Sequence, residues 1–114
     1  MATADDVRAY LDRVAASGDT VTYQEAARDL AIPAPHSIHK LTQLLEQIME
    51  DDAAAGSPLR AALIISRTRQ GLPAPGFFAR ARALGRYDGA ERGAEAAAFH
   101  ERELAAVWAR MQRT

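Results

Sequence analysis

The chain has 114 residues, 48% hydrophobic and 25% charged, which fits one globular domain and excludes an intrinsically disordered chain. It has no cysteine, so disulfides, thiol nucleophiles, iron–sulfur clusters and cysteine-based zinc sites are excluded together. The net charge of −1 is not that of a strongly nucleic-acid-binding chain, but residues 1–57 carry four basic against ten acidic residues (−6) and residues 58–114 carry ten arginines against five acids (+5).

Thr3 and Asp6 have capping-box spacing, and Val7, Tyr10, Leu11 and Val14 recur at i, i+3, i+4 and i+7, so a first amphipathic helix is predicted, ending at Ser17-Gly18-Asp19. Thr20-Val21-Thr22-Tyr23 is β-branched and aromatic, hence extended or a very short strand. Thr22 and Glu25 form a second capping box and open a short helix through Leu30, with Ala26, Ala27 and Leu30 on its apolar face. Ile32-Pro33-Ala34-Pro35 is a stiff break, because neither proline continues a helix.

A third helix is predicted from His36 or Ser37 to Ala55, with Ile38, Leu41, Leu44, Leu45, Ile48 and Met49 in a 3.6-residue period, terminated by Gly56-Ser57-Pro58. Leu59 to Arg67 reads as a strand, with Leu59, Ala61, Leu63 and Ile65 on one face and Ile64 on the other. Residues 70–76 form a Gly/Pro-rich loop, Phe77 to Leu84 a short helix stopped by Gly85, and residues 86–93 a second loop. The last helix spans Ala94 to Gln112, with Ala97, Leu104, Val107, Trp108 and Met111 on one face. There is no internal repeat and no low-complexity linker.

Helix, short strand, helix, Pro-bearing turn, helix, strand and glycine-rich loop is the layout of a winged helix-turn-helix. The fold expected is therefore mainly α with a small β-sheet, a winged helix-turn-helix core over about residues 3–84 with an appended C-terminal helix over about 94–112. The run Val21-Thr22-Tyr23-Gln24-Glu25-Ala26-Ala27 resembles the V-[ST]-Y-x-x-[LA]-A opening of the winged-helix domain of DNA alkyltransferases and alkyltransferase-like proteins. The resemblance covers about residues 18–76 and implies a DNA-binding fold. The family's acceptor motif, P-C-H-R, is replaced here by Ile64-Ile65-Ser66-Arg67-Thr68, so alkyl transfer to sulfur is excluded. Its small-residue A-R-A-V-G recognition segment is replaced by Ser37-Ile38-His39-Lys40-Leu41. Gly71-Leu72-Pro73, followed by Gly76-Phe77, also looks like the G-L-P-x-x-G-F signature of small bacterial winged-helix proteins, which implies fold and not activity.

The polar face of the third helix carries His36, His39, Lys40, Gln43 and Gln47, which donate and accept as base-edge readers must. Glu46, Glu50, Asp51 and Asp52 on the same helix would repel phosphate and argue instead for a merely solvated face. Arg67, Arg69, Arg80, Arg82 and Arg86 lie on and after the wing, where they would either grip phosphate or pair with the acidic 50–52 run. Arginine favours planar, two-pronged contacts with phosphate or carboxylate, although a GC-rich coding sequence produces the same bias.

His36, His39 and His100 do not form a metal-ligand set, no catalytic constellation stands at a diagnostic spacing, and no cofactor is expected. The G-x-x-x-x-G spacing of Gly71 and Gly76 is followed by Phe77-Phe78 rather than Lys and Ser or Thr, so it is no phosphate loop. On the last helix Phe99 lies nearly opposite Trp108, so either one of them faces away from the core as a dimer or partner surface, or Phe99 packs under the 85–93 loop. No apolar run approaches the roughly 20 residues that span a bilayer. Met1 to Asp6 lacks the layout of a signal peptide, and a cytoplasmic location follows as the expectation. The function expected is non-enzymatic binding of double-stranded DNA through Ser37, His39, Lys40 and Gln43, with Arg67 and Arg69 on phosphate. The alternative is a protein-interaction module, with a partner or a second copy docking on the C-terminal helix.

Overall fold

The computed structural model describes residues 2–112. Both capping boxes form. Helix α1 (Ala4–Ala16) starts where Thr3 Oγ1 accepts from Asp6 N–H at 3.2 Å and Asp6 Oδ2 accepts from Thr3 N–H at 2.9 Å. Strand β1 (Val21–Thr22) runs straight into α2 (Tyr23–Asp29), because Thr22 makes the same reciprocal pair with Glu25, at 3.1 and 2.9 Å. Each box satisfies two backbone N–H donors that a bare helix start leaves open.

Four helices stop in one way, with the residue after the cap in the left-handed region and two backward hydrogen bonds. Gly18, Gly56 and Gly85 take that place after α1, α3 (Ser37–Ala54) and α4 (Pro75–Ala83). After α2 the place is held by Ala31, at φ +54°, with Ala31 N–H on Arg28 O and Ile32 N–H on Ala27 O, both at 3.0 Å. The chain then passes Pro33, a cis Ala34–Pro35 bond and His36, itself at φ +60°, before entering α3.

The segment expected as one long strand differs. Only Ile64–Ile65 is strand (β2), pairing parallel with β1 so that Val21 faces Ile64 and Thr22 faces Ile65. Arg60–Leu63 is a 3-10 turn, and Ala61, Ala62, Leu63 and Ile64 are all buried, so the alternation of Ile64 away from Leu63 does not occur. An apolar run this short fits a buried turn as well as a strand. After β2 the chain makes a 3-10 turn at Arg67–Arg69 and a loop closed by Ser66 N–H on Leu72 O at 2.8 Å, and enters α4 at Pro75, two residues before the expected start. Proline at the first helical position loses no hydrogen bond.

Helices α1, α3 and α5 (Ala94–Gln112) pack around the 60–63 turn, and α2 lies against α3. Val7, Leu11, Leu41, Ile48, Leu59, Leu63, Ile64 and Phe78 are the fully enclosed centre of the core. The C-terminal helix uses two faces in turn. Phe99 is buried against Tyr87 of the 86–93 loop, with ring centroids 4.4 Å apart and near parallel, and against Phe77 and Phe78 of α4. Trp108, on the opposite face, is half-buried and donates Nε1–H to Asp19 O at 3.1 Å, beside the end of α1. Neither aromatic is left outward-facing, and Ala97, expected on the apolar face, is exposed while Ala96 is buried.

Candidate nucleic-acid interface

Helix α3 separates into three faces. Leu41, Leu45, Ile48, Met49 and Asp52 are buried. Ser37 and Lys40 are half-buried at its start, where Lys40 Nζ donates to Pro33 O at 3.1 Å and braces the α2–α3 turn. His39, Gln43 and Gln47, spaced at i, i+4 and i+8, form one exposed stripe. The first turn carries no acid and His36 offers no side-chain cap, an electrostatic setting that tolerates an anion. Ser37, His39, Lys40 and Gln43 are thus on one end of one helix, as the sequence places them.

The two arginines expected beside them part ways. Arg67 is exposed on its turn, and its charge acts on Glu25 at the start of α2. The hydrogen bonds from Thr22, and more weakly the charges of Arg67 and Arg28, hold the Glu25 carboxyl below the usual carboxylate range. Arg69 is half-buried and braces two loops, donating Nε–H to Pro73 O at 2.9 Å and Nη2–H to Glu91 O.

The acidic end of α3 is neutralised within the chain. Glu50 pairs with Arg80 of α4, Asp51 with Arg8 of α1, and Asp52 with Arg60 of the 60–63 turn. Three consecutive carboxylates therefore meet three arginines from three elements. The remaining arginines of the second half are largely occupied too. Arg82 donates to Gly89 O, Arg86 to Ser57 O at 2.9 Å and Glu103 Oε1 at 3.3 Å, and Arg110 to Ser57 Oγ at 2.8 Å. Across the two halves of the sequence, Arg60 and Arg80 meet acids of the first half, while Arg86 pairs with Glu103 and Arg69, Arg82 and Arg110 use neutral acceptors. These partners lie far apart in the chain, so spacing could not reveal them.

Burial pulls the Arg60 guanidinium pKa down, and the hydrogen bonds and charges of Asp52 and Asp12 outweigh it, so the net direction is upward. His100 is buried under α4 with Nε2 2.8 Å from Ala62 O, and burial pushes its pKa below the ordinary 6.5, the hydrogen bond offsetting part of that. Its place in the core keeps it far in role from His36 and His39. Among the described residues no group of three or more His, Asp or Glu side chains converges on a metal-sized site, and no helix is long and apolar enough to cross a membrane. Comparison of the chain with protein-family models, with curated proteins and with solved structures returns no match in any of the three.

Proposed function

We propose that the protein is a non-enzymatic DNA-binding module of winged-helix type, docking the first half of α3 in a groove of duplex DNA with Arg67 beside it. One observation carries this reading: the stripe of His39, Gln43 and Gln47 is exposed and contains no carboxylate, and Glu50, Asp51 and Asp52 beyond it pair with arginines, which leaves Glu46 as the acid beside it that joins no ion pair among the described residues. Side chains that both donate and accept, on the exposed face of a helix, suit base-edge contact in a major groove. Lys40 at the start of α3 and the exposed Arg67 on the turn after β2 supply charge, and phosphate contacts of this kind position without reading sequence.

The test is fluorescence anisotropy of a labelled random duplex at low and at physiological salt. Micromolar binding that weakens steeply with salt, and that Lys40→Glu and Arg67→Glu both reduce, supports the proposal. Absence of binding at low salt overturns it.

A second reading, a protein-interaction module on the same scaffold, is favoured by the internal hydrogen bonds and ion pairs of Arg60, Arg69, Arg80, Arg82, Arg86 and Arg110, which take them up within the chain. Under it the duplex does not bind, and the α3 stripe is the surface a partner protein covers.

A further inference from the structure

The loop after β2 and the stretch leading into α5 flank an open surface concavity of about 330 Å³, lined by Thr68, Arg69, Gln70, Leu72, Arg92 and Gly93. Two of these residues are cations and none is a carboxylate. Other clefts on the molecule carry acids in their walls: Asp12 and Asp52 in one, Glu46 in a second, Asp6 and Asp29 in a third.

Arg69 is held across this concavity by Pro73 O and Glu91 O. Both acceptors are neutral carbonyls, so they fix the guanidinium without cancelling its charge. They also occupy only two of its five N–H donors. Arg92 is exposed at the rim. Among the described residues neither Arg69 nor Arg92 belongs to an ion pair, whereas Arg8, Arg28, Arg60, Arg80 and Arg86 all do. Arg69 is thus a positive charge fixed by neutral acceptors, facing a hollow with no carboxylate in its lining. Thr68, whose hydroxyl lies 3.1 Å from Ser66 Oγ, and Gln70 add neutral hydrogen-bonding groups.

We propose that this concavity binds one phosphate group, carried either by a nucleic-acid strand or by a free phosphorylated small molecule. A planar guanidinium with paired N–H donors matches a phosphate edge, and a fixed one loses little freedom on binding. In its strand form the proposal rests on the DNA reading above. The loop is docked on the helix-turn unit, since Ala74 N–H donates to Tyr23 Oη at 2.9 Å and Ile65 pairs with Thr22, so a strand lying along α2 and α3 would run past it. The free-ligand form does not need that reading.

Two probes separate the sources. Inorganic phosphate is titrated into isotope-labelled protein at constant ionic strength against chloride, and a labelled random duplex is titrated by anisotropy. Arg92→Glu is the site variant, because Arg92 is exposed and makes no hydrogen bond or ion pair among the described residues, and Arg102→Glu, exposed on α5, carries the same charge change elsewhere. The expected result is that phosphate shifts the amide signals of residues 68–71 and 92–94, and that Arg92→Glu removes the response while Arg102→Glu keeps it. If a strand is the source, Arg92→Glu also weakens duplex binding about tenfold and lowers the salt slope by about 1, beyond the effect of Arg102→Glu. A phosphate response lost in Arg92→Glu, with no duplex binding by the wild type, upholds the site with a free ligand and overturns the DNA reading alone. Duplex binding with no phosphate response, and with Arg92→Glu no weaker than Arg102→Glu, overturns the site and leaves the DNA reading standing. Silence of both probes overturns both.

Discussion

Arg60 grips Asp52 in two-pronged fashion, with Nη2 2.8 Å and Nε 3.1 Å from Oδ1, while its own backbone N–H donates to Oδ2 at 3.0 Å. The Asp52 side chain is only 4% exposed, so this carboxylate is a buried charge that exists because the guanidinium meets it. Asp12 of α1 joins from the other side at 3.3 Å, and one arginine thereby ties α1 and α3 to the 60–63 turn.

Removing one partner of that pair is predicted to be far worse than the pair is good. Asp52→Ala leaves the arginine without its main counter-charge and is expected to lower stability by about 3 kcal/mol, read from urea denaturation. Asp52→Asn keeps an acceptor for the Arg60 backbone N–H and is expected to lose about half as much. Equal losses would show that charge, and not hydrogen bonding, carries the whole effect.

His100 makes stability depend on pH. Its folded pKa is held below the 6.5 of the unfolded chain by burial, so the unfolded state takes up a proton that the fold refuses. Its neutral form is the population in both states above pH 6.5, and its contribution is fully present there. The contribution is lost progressively as pH falls below that value towards the folded pKa. The gap in stability between wild type and His100→Gln is therefore expected to narrow from about pH 7.5 to about pH 5. A gap that stays constant over that range contradicts the assignment.

Ala31 occupies a left-handed position that glycine fills after three other helices. A side chain there costs about 1 kcal/mol, partly offset because glycine has more freedom to lose on folding. Ala31→Gly is predicted to raise stability by about 0.5 kcal/mol, with the α2–α3 turn unchanged by amide chemical shifts. A destabilised Ala31→Gly protein would mean that the turn geometry is held by something other than this cap.

Gly89 is required by a ring. A Cβ built at this position would stand 2.7 Å from Tyr87 Cζ, inside any tolerable contact. Tyr87 is fixed by stacking on Phe99 and by its hydroxyl on Ala90 O at 2.6 Å. Gly89→Ala is expected to displace that ring and cost about 1–2 kcal/mol, with faster amide exchange confined to residues 86–93 and the facing turn of α5. Exchange that rises throughout the molecule would instead place the loop within the global folding unit.

The sequence made some of this legible and hid the rest for definite reasons. Thr3 with Asp6, Thr22 with Glu25, and Gly18, Gly56 and Gly85 act within a few residues of themselves, so the helix ends follow from local chemistry. The 59–65 run failed that test, because its apolar residues satisfy a strand period and a buried turn alike. Of the candidate site, the polar stripe on α3 was readable from helical spacing. The roles of the arginines were not. Arg8 finds Asp51 and Arg60 finds Asp12 across more than 40 positions of chain, and Arg69 acts on backbone carbonyls that every residue offers. The opposition of Phe99 and Trp108 was visible on a helical wheel, but a helix that packs one end under α4 and the other on α1 encloses both.

The measurement that bears most directly on the DNA reading is an amide NMR titration of the labelled protein with a short duplex at low salt. The account predicts shifts concentrated at residues 36–47 and at Arg67, fading as salt is raised. Shifts that avoid the α3 stripe, or a spectrum unmoved at low salt, would contradict it and leave α3 as a protein-facing or merely solvated surface.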